Sequence, residues 1–338
     1  MACNTPVVAY YGGVASDGKF LMYYGKNPPN HWKMILMNCG KCEACRISHS
    51  KKWAVRCMNE YEYWNEACFI TLTYNNDCLP RKVHTGTGEI APSLVRKHIQ
   101  EFNKRLRRAL ELKGFKGKIK LFYAGEYGDL NHRPHYHLLC YGFKPTDLVK
   151  HHQDKFGFWL HTSEFLSSLW YEKVPNDDKK VRRKWKRVSR GFITVGAVNF
   201  QTCSYVAKYV LKKQTKKENE EVPWDLEFLG CSHGIGKQWF LDNYKTVMAS
   251  GYMNYVNVNG DICKCAIPRY YINLLKDISP ELYHQYYKKV QAYLYDKVYS
   301  FEEEYAKLDI GLSNEKAMKH KTKSIKRSIQ DEENLQCI

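Results

Sequence analysis

The sequence lacks any long apolar run and any excess of acidic side chains. No stretch approaches the roughly 18 consecutive apolar residues that cross a membrane, and no apolar stretch follows a basic start as in a secretory leader. We therefore expect a soluble, cytoplasmic protein that does not bind a membrane. Lys and Arg number 53 against 35 Asp and Glu, so the formal net charge is +18. That balance favours a chain that holds phosphates, although a ribosome-associated or packaging protein would share it.

The chain also lacks a complete phosphate-binding loop and the signs of a disulfide framework. The segment Gly234–Lys237 resembles part of a Walker A motif, but Cys231 and Gln238 stand where that motif requires Gly and Ser or Thr. The sequence thus predicts no ATPase or helicase in this polypeptide. Its 13 cysteines are an odd number in a chain without an export signal, so we expect free thiols or metal ligands rather than disulfides.

Two histidines, His135 and His137, flank Tyr136 in a short apolar stretch. In an extended strand alternate side chains share a face, so both imidazoles point one way and Tyr136 points into an apolar layer on the other side. An upstream strand ends at Glu126 and a turn follows it, so a hairpin brings this carboxylate beside the histidines. Such ligands suit a catalytic Mg²⁺ or Mn²⁺. A His-x-His pair on its own also occurs without a metal.

A helix is predicted over residues 200–213, and it carries two tyrosines one turn apart. Tyr205 and Tyr209 lie on one face, with Lys208 and Lys212 on the adjoining stripe. A phenol has an ordinary pKa of about 10, so a nearby cation is needed to favour the phenolate and to screen a phosphate. The pattern predicts two tyrosine nucleophiles, each assisted by a lysine. The alternative is an amphipathic core helix whose lysines reach solvent.

Together these motifs resemble the HUH (His-hydrophobic-His) endonucleases of the two-tyrosine, rolling-circle type. The resemblance is to the replication initiators of microviruses, specifically the gokushovirus branch, and it covers residues 1–275 approximately. Further stretches that carry the resemblance are Met1–Pro6, Cys39–Arg46, Trp53–Met58, Phe69–Tyr74, Gly125–Gly128, Arg133–His137 and Pro268–Tyr271. The basic insert at 173–190 departs from the family pattern, which has a shorter connection there.

The resemblance implies a metal-dependent nickase for rolling-circle replication. Such an enzyme cuts the viral strand at an origin, keeps the 5′ phosphate on tyrosine, leaves a 3′ hydroxyl for the host DNA polymerase, and rejoins strands at termination. Its partners would be single-stranded origin DNA, a host helicase and the polymerase, in the host cell cytoplasm. Two alternatives stay open: a transposase or plasmid initiator of the same fold, and a non-catalytic protein that binds or packages single-stranded DNA.

A Cys-x2-Cys-x2-Cys block forms a third candidate site: Cys39, Cys42 and Cys45. Three thiolates at this spacing can converge on a tetrahedral ion, with a fourth ligand from Cys3, Cys57 or His49. The resemblance favours Cys3. His49 stands where a ferredoxin-type motif would place its fourth cysteine, so structural Zn²⁺ is favoured over an iron–sulfur cluster. The alternative is a set of reduced cysteines at the start of a helix near residue 47.

A strongly basic segment, 179–190, carries eight Lys or Arg residues among its twelve positions. Because like charges repel, we expect this segment to be mobile when free and to become ordered on nucleic acid. The predicted DNA contacts come from this segment and from one arginine beside the histidine motif: Arg133, Arg182, Arg183, Lys184, Lys186 and Arg187.

Periodicity predicts the remaining elements and an α+β fold. Helices are expected over 48–64, 92–112, 164–170 and 281–308, and strands over 68–74, 119–126, 135–142 and 191–198. This order suggests an antiparallel sheet covered by helices, which the resemblance sharpens to the HUH fold. The predicted division is a Cys-rich cap at 1–64, a nuclease core at 65–213, a helical accessory region at 214–310 and a basic, poorly ordered tail at 311–338.

Overall fold

A computed structural model describes most of the chain. The described residues are 3–15, 20–25, 27, 29–83, 87–128, 131–154, 157–176, 184–208, 225–257 and 260–307. The chain divides into two compact units. The cysteine unit comprises Met1–His49, Tyr244–Met253 and Cys265–Ile338, and the sheet unit comprises Ser50–Asn243 and Asn254–Lys264. The segment boundaries predicted after residues 64, 213 and 310 follow chain order and stay predictions.

Sixteen strands and seven helices are found in the described residues. The strands are β1 (Val7–Val14), β2 (Phe20–Tyr23), β3 (Lys33–Met37), β4 (Ala67–Thr73), β5 (Arg81–Val83), β6 (Ile90–Pro92), β7 (Lys120–Tyr127), β8 (Pro134–Tyr141), β9 (Leu148–Gln153), β10 (Trp159–Ser163), β11 (Tyr171–Pro175), β12 (Trp185–Ser189), β13 (Ile193–Gly196), β14 (Phe228–Cys231), β15 (Met253–Val256) and β16 (Ile262–Cys265). The helices are α1 (Glu43–Tyr61), α2 (Arg96–Leu112), α3 (Glu164–Ser167), α4 (Phe200–Lys208), α5 (Lys237–Ser250), α6 (Arg269–Ile278) and α7 (Pro280–Lys307).

A seven-stranded sheet forms the centre of the sheet unit, with the order β14-β7-β8-β4-β13-β10-β9. Every neighbouring pair in it is antiparallel. The predicted α+β class with a central antiparallel sheet is thus confirmed, and so is the hairpin formed by β7 and β8. Within the described residues, no helix combines the length and apolar character needed to cross a membrane.

Alternation along the strands gives this sheet two buried faces. On one face, Tyr136 and Leu138 of β8 pack with Ile99, Phe102 and Leu106 of α2. The opposite face is covered by other helices. There, Phe122 and Ala124 of β7 and Leu139 of β8 pack with residues of α1 and α4: Ala54, Cys57, Cys203, Val206 and Ala207. Side chains at even positions of β7 and odd positions of β8 therefore face α4.

Tyr136 anchors a buried hydrogen-bond chain on the α2 side of the sheet. Its hydroxyl lies 2.8 Å from the Tyr74 hydroxyl and 3.0 Å from the backbone N–H of Val95. The Tyr74 hydroxyl in turn lies 2.7 Å from His98 Nδ1. Burial, and next the positive charge of Arg190, lower the pKa of His98 to about 4. The predicted orientation of Tyr136 into an apolar layer is confirmed, since its side chain is fully buried.

Several predicted boundaries were wrong by a few residues. Helix α1 begins at Glu43 rather than at residue 48. Helix α2 begins at Arg96 rather than at 92, because Ile90–Pro92 pairs with β5 and Val95 is extended at the helix start. Helix α3 ends at Ser167, where Ser168 closes a tight turn onto the Glu164 carbonyl. Strand β13 is shorter at both ends than predicted.

The described parts of the basic insert are ordered, contrary to the predicted mobility. Strands β11 and β12 pair antiparallel from Tyr171 opposite Ser189 to Pro175 opposite Trp185. The guanidinium of Arg187 lies 4.7 Å from the centre of the Tyr171 ring. This cation–π contact offsets part of the like-charge repulsion on which the prediction relied. Residues 177–183, with Arg182 and Arg183, lie outside the described residues.

The cysteine unit contains a small antiparallel sheet in the order β2-β1-β3. Its buried core is formed by Ala9, Tyr11 and Ile35. Phe20 of β2 packs against Tyr287 of α7, with ring centres 5.4 Å apart. The long helix predicted over 281–308 is confirmed as α7, and the tail beyond it lies outside the described residues.

Candidate functional site

The register of the central strands places Glu126 and the two histidines on one face. On the hairpin, Glu126 is opposite His135, and on the other side of β8, Thr71 is opposite His137. All four positions fall on the face that α4 covers. The sequence predicted this arrangement for Glu126, His135 and His137 from strand alternation alone.

His137 is held from three sides. Its Nε2 lies 2.5 Å from Glu126 Oε1 and its Nδ1 lies 3.0 Å from Thr71 Oγ1. The Phe69 ring stacks on the imidazole at 5.5 Å with an interplanar angle of 3°. Glu126 and His137 are only 2% and 6% exposed. Burial and hydrogen bonds on both ring nitrogens thus fix the orientation of the imidazole.

Sequence reasoning missed Thr71 and Phe69 as part of this site. The signal was present in the alternation of β4, where Phe69 and Thr71 are two residues apart and share a face. Both lie on the strand next to the histidine strand. Which face they would share with His137 depended on the pairing register of β4 and β8, and the sequence did not predict it.

His135 lies on the same face, with its ring centre 5.8 Å from that of His137. It is half-buried. The backbone of Gly128 passes close to it: a Cβ at this position would lie 3.0 Å from His135 Cε1. Glycine at 128 therefore leaves the space that the imidazole occupies.

Tyr205 projects from α4 onto this face. Its hydroxyl donates to Glu126 Oε1 at 2.8 Å, and its ring meets the His137 ring edge to face at 4.9 Å. The phenol nevertheless stays 41% exposed. Helix α4 is fixed at its start by a reciprocal pair of bonds, from Thr202 N to Asn199 Oδ1 and from Asn199 N to Thr202 Oγ1.

The remaining residues of the tyrosine motif are less informative. Lys208 is the last described residue of α4, and its side chain is exposed. Tyr209 and Lys212 lie outside the described residues, so their predicted positions on the same helix stay predictions.

The donors on this face fit a divalent cation in kind: one carboxylate and two imidazoles. Glu126, His135 and His137 do not converge to a common metal-ligand spacing as the side chains stand. Glu126 and His137 instead contact each other directly. Binding a cation here would replace that hydrogen bond by two coordination bonds, with His135 on the same face as the third ligand.

The cysteine cluster is the one group of at least three His, Cys, Asp or Glu in the described ranges whose ligand atoms all lie within 4.8 Å of one another: Cys3, Cys39, Cys42 and Cys45. The Sγ of Cys3 lies 3.5 Å from the Sγ of Cys39 and 3.5 Å from that of Cys42. Of the three candidates for the fourth position, Cys3 is the one that joins this group. Cys57 is instead buried in the core beneath α4.

Hydrogen bonds prepare Cys39 as a thiolate. Burial raises its pKa, but the Thr5 hydroxyl and the backbone N–H groups of Cys42 and Lys41 outweigh that effect and lower it to about 6. Burial, and next the neighbouring Cys3, raise the pKa of Cys45. Thiols packed together compete for protons in this way, and a tetrahedral cation such as Zn²⁺ removes the competition because it binds thiolates.

The predicted DNA contacts lie in two places. Arg133 donates from Nε and Nη2 to the Tyr74 carbonyl, at 3.2 and 2.9 Å, and from Nη2 to Asn76 Oδ1 at 2.9 Å. These bonds give it a structural role at the end of the histidine strand. Lys184 precedes β12, and Lys186 and Arg187 lie on it. Their contact with DNA stays a prediction.

Comparisons with known proteins agree with the resemblance seen in the sequence. A family model for replication-associated proteins of the ORF2 type matches residues 67–214. The chain is 28% identical to the replication-associated protein VP4 of Bdellovibrio phage phiMH2K, over 86% of this chain and 82% of that protein. It is 28% identical to the replication-associated protein ORF2 of Spiroplasma virus 4, over 74% of this chain and 71% of the relative.

A third relative is the replication-associated protein ORF4 of Chlamydia phage 1, which is 27% identical over 72% of this chain and 54% of its own length. No solved structure matches the chain. The predicted resemblance to replication proteins of microvirus-type phages is therefore confirmed.

Proposed function

We propose that this protein initiates rolling-circle replication by nicking single-stranded DNA at an origin. The observation that carries the proposal is the contact between Tyr205 on α4 and Glu126 on the sheet, beside His137. A half-exposed phenol held against a buried carboxylate and an imidazole is the arrangement of an activated nucleophile. The names of the phage relatives support a role in DNA replication.

The cleavage step is a phosphodiester exchange. The phenolic oxygen of Tyr205 forms a bond to phosphorus while the bond from phosphorus to the 3′ oxygen breaks. The phenolic proton passes to Glu126, which already accepts a hydrogen bond from that hydroxyl at 2.8 Å. The leaving 3′ oxygen takes a proton from solvent. The products are a 5′-phosphotyrosine and a 3′ hydroxyl, and the reverse reaction rejoins a strand.

A divalent cation, Mg²⁺ or Mn²⁺, would be held by Glu126, His135 and His137 and would stabilise the negative charge that develops on the phosphate. The chain's own residues supply the remaining functions. Thr71 and Phe69 orient His137, and Lys208 offers an exposed positive charge one turn beyond Tyr205. Tyr209 and Lys212 are proposed as the second nucleophile and its assisting lysine.

DNA binding is proposed to rest on the basic residues outside the site. Arg182, Arg183, Lys184, Lys186 and Arg187 concentrate positive charge in and beside the β11–β12 hairpin. Contacts of this kind bind phosphates without reading sequence. The proposed partners are single-stranded origin DNA, a host helicase and a host DNA polymerase in the cytoplasm of the infected cell.

The test is adduct formation with the single-stranded genome that encodes the protein. In the presence of Mn²⁺, the parent should yield a protein–DNA complex that survives denaturation, and peptide mapping should place the DNA on Tyr205 or Tyr209. The double variant Tyr205→Phe/Tyr209→Phe should form none. Tyr24→Phe is a matched control because Tyr24 is an exposed tyrosine of the cysteine unit. DNA binding without any adduct would instead indicate a non-catalytic binding or packaging protein.

A further inference from the structure

A cavity opens directly beside Tyr205. It has a volume of about 370 Å³, which is within the range of small-ligand pockets. The phenol of Tyr205 and the imidazole of His137 form one wall, and Phe158 and Trp159 form another. The cavity therefore shares its boundary with the proposed nucleophile, and any ligand in it lies next to the bond that Tyr205 would attack.

The aromatic wall is exposed where burial would be expected. Phe158 is 51% and Trp159 is 44% exposed, although both are large apolar side chains. The Lys150 ammonium lies 5.1 Å from the centre of the Trp159 ring, a cation–π contact that restrains the indole. A restrained, solvent-facing aromatic ring next to a site for phosphate chemistry is a stacking platform for a base.

The wall on the other side is polar and comes from the start of α4. Asn199, Gln201 and Thr202 line the cavity. Asn199 and Thr202 hold each other through the helix-start bonds, so their positions are fixed. The cavity thus offers an aromatic face together with side-chain amide and hydroxyl groups, which are the partners that the flat face and the polar edge of a nucleobase require.

We propose that this cavity binds the base of a nucleotide adjacent to the scissile phosphate, with Trp159 stacked on the base. The inference rests on the proposed nicking function, because it is the phosphate at Tyr205 that brings a neighbouring base to the cavity. Phosphate contacts alone carry no sequence information. A base held in this cavity restricts cleavage to phosphates with a suitable neighbour, and so contributes to origin choice.

The experiment uses origin oligonucleotides in which a single abasic position is moved across the cleavage site. Adduct formation is measured at subsaturating DNA for the parent and for Trp159→Ala. The parent should lose about tenfold or more at one position next to the scissile phosphate. Trp159→Ala should show that loss already on intact DNA, and little further loss at the abasic position. Non-additivity of this kind assigns the base to the tryptophan.

Two further variants separate stacking from misfolding. Trp159→Phe keeps an aromatic ring and should restore the sensitivity to the abasic position. Phe192→Ala removes another exposed aromatic residue, 70% exposed and outside the cavity lining, and should keep the parent's sensitivity. Adduct formation with equal abasic sensitivity in the parent and Trp159→Ala overturns the base pocket and leaves the nicking function intact. Failure of the parent to form any adduct overturns both proposals.

Discussion

Tyr205 and Glu126 come from a helix and a strand far apart in sequence, and the phenol of one donates to the carboxylate of the other at 2.8 Å. The same carboxylate oxygen, Oε1, lies 2.5 Å from His137 Nε2. One buried oxygen atom thus joins the proposed nucleophile to the histidine motif. The consequences of this shared atom for cleavage, and of the other sites for stability, can be measured separately.

Replacement of Glu126 by Gln tests the shared carboxylate. The amide is nearly isosteric, but it is a weaker base and a poorer cation ligand, so cleavage should fall by about 100-fold or more. Binding to single-stranded DNA should stay close to the parent's, because phosphate contacts come mainly from Lys and Arg. Adduct formation and a binding titration measure the two effects. Glu89→Gln, at an exposed position, should leave both unchanged, and parental cleavage by Glu126→Gln would remove Glu126 from the mechanism.

The double variant His135→Ala/His137→Ala tests the proposed metal ligands. Cleavage should be abolished while binding to single-stranded DNA is retained, since neither histidine belongs to the basic hairpin. The matched control is His151→Ala/His152→Ala, a pair of exposed neighbouring histidines on β9. A chelator should abolish cleavage by the parent and by the control. Cleavage that persists in the His135/His137 variant with chelator present would exclude the metal mechanism.

Single tyrosine variants test why the motif contains two phenols. Termination must cut the regenerated origin while the first adduct is still in place, so a second phenol within reach of the same site is required. Tyr205→Phe or Tyr209→Phe alone should still allow one cleavage but should block the release of unit-length circles, which a gel assay on circular product measures. Release of circles by either single variant at the parent's level would favour a mechanism with one tyrosine.

The cysteine cluster should hold about one Zn²⁺ per chain in protein purified under reducing conditions. Elemental analysis of Cys42→Ser/Cys45→Ser should show the loss of the metal, and thermal unfolding should show a large loss of stability, because binding of a structural metal contributes directly to folding. Cys231→Ser, at the end of β14 and outside the cluster, should retain the metal. A parent protein without zinc would return these thiols to the alternative of reduced cysteines at a helix start.

Stability should depend on pH through His98. Its pKa is lowered from 6.5 to about 4 by burial, and next by Arg190. The unfolded chain therefore binds a proton more readily than the folded protein, so this histidine destabilises the fold as pH falls from 6.5 towards 4. Urea unfolding at pH 7 and pH 5 should show a smaller acid-induced loss for His98→Gln than for the parent. His151→Gln, on exposed β9, should behave like the parent, and an equal loss in His98→Gln would assign the acid sensitivity to other groups.

The local parts of the site followed from the sequence because they depend on short-range geometry. Alternation along a strand places His135 and His137 on one face, and a hairpin of adjacent strands brings Glu126 opposite His135. The amphipathic pattern of α2 predicted four of its buried residues correctly: Ile99, Phe102, Leu106 and Leu110. Its start was misplaced because the pairing of β5 with β6 competes for the same residues.

The sequence by itself determined the residue types, the antiparallel hairpin, the long C-terminal helix and the resemblance to phage replication proteins. Only the tertiary structure decided that Cys3 joins the other three cysteines, that Phe69 and Thr71 hold His137, and that Tyr205 reaches Glu126. The physical reason is range. Strand and helix periodicities act over a few residues, whereas these contacts depend on strand register and on how α4 packs against the sheet, which are set by the burial of side chains distant in sequence.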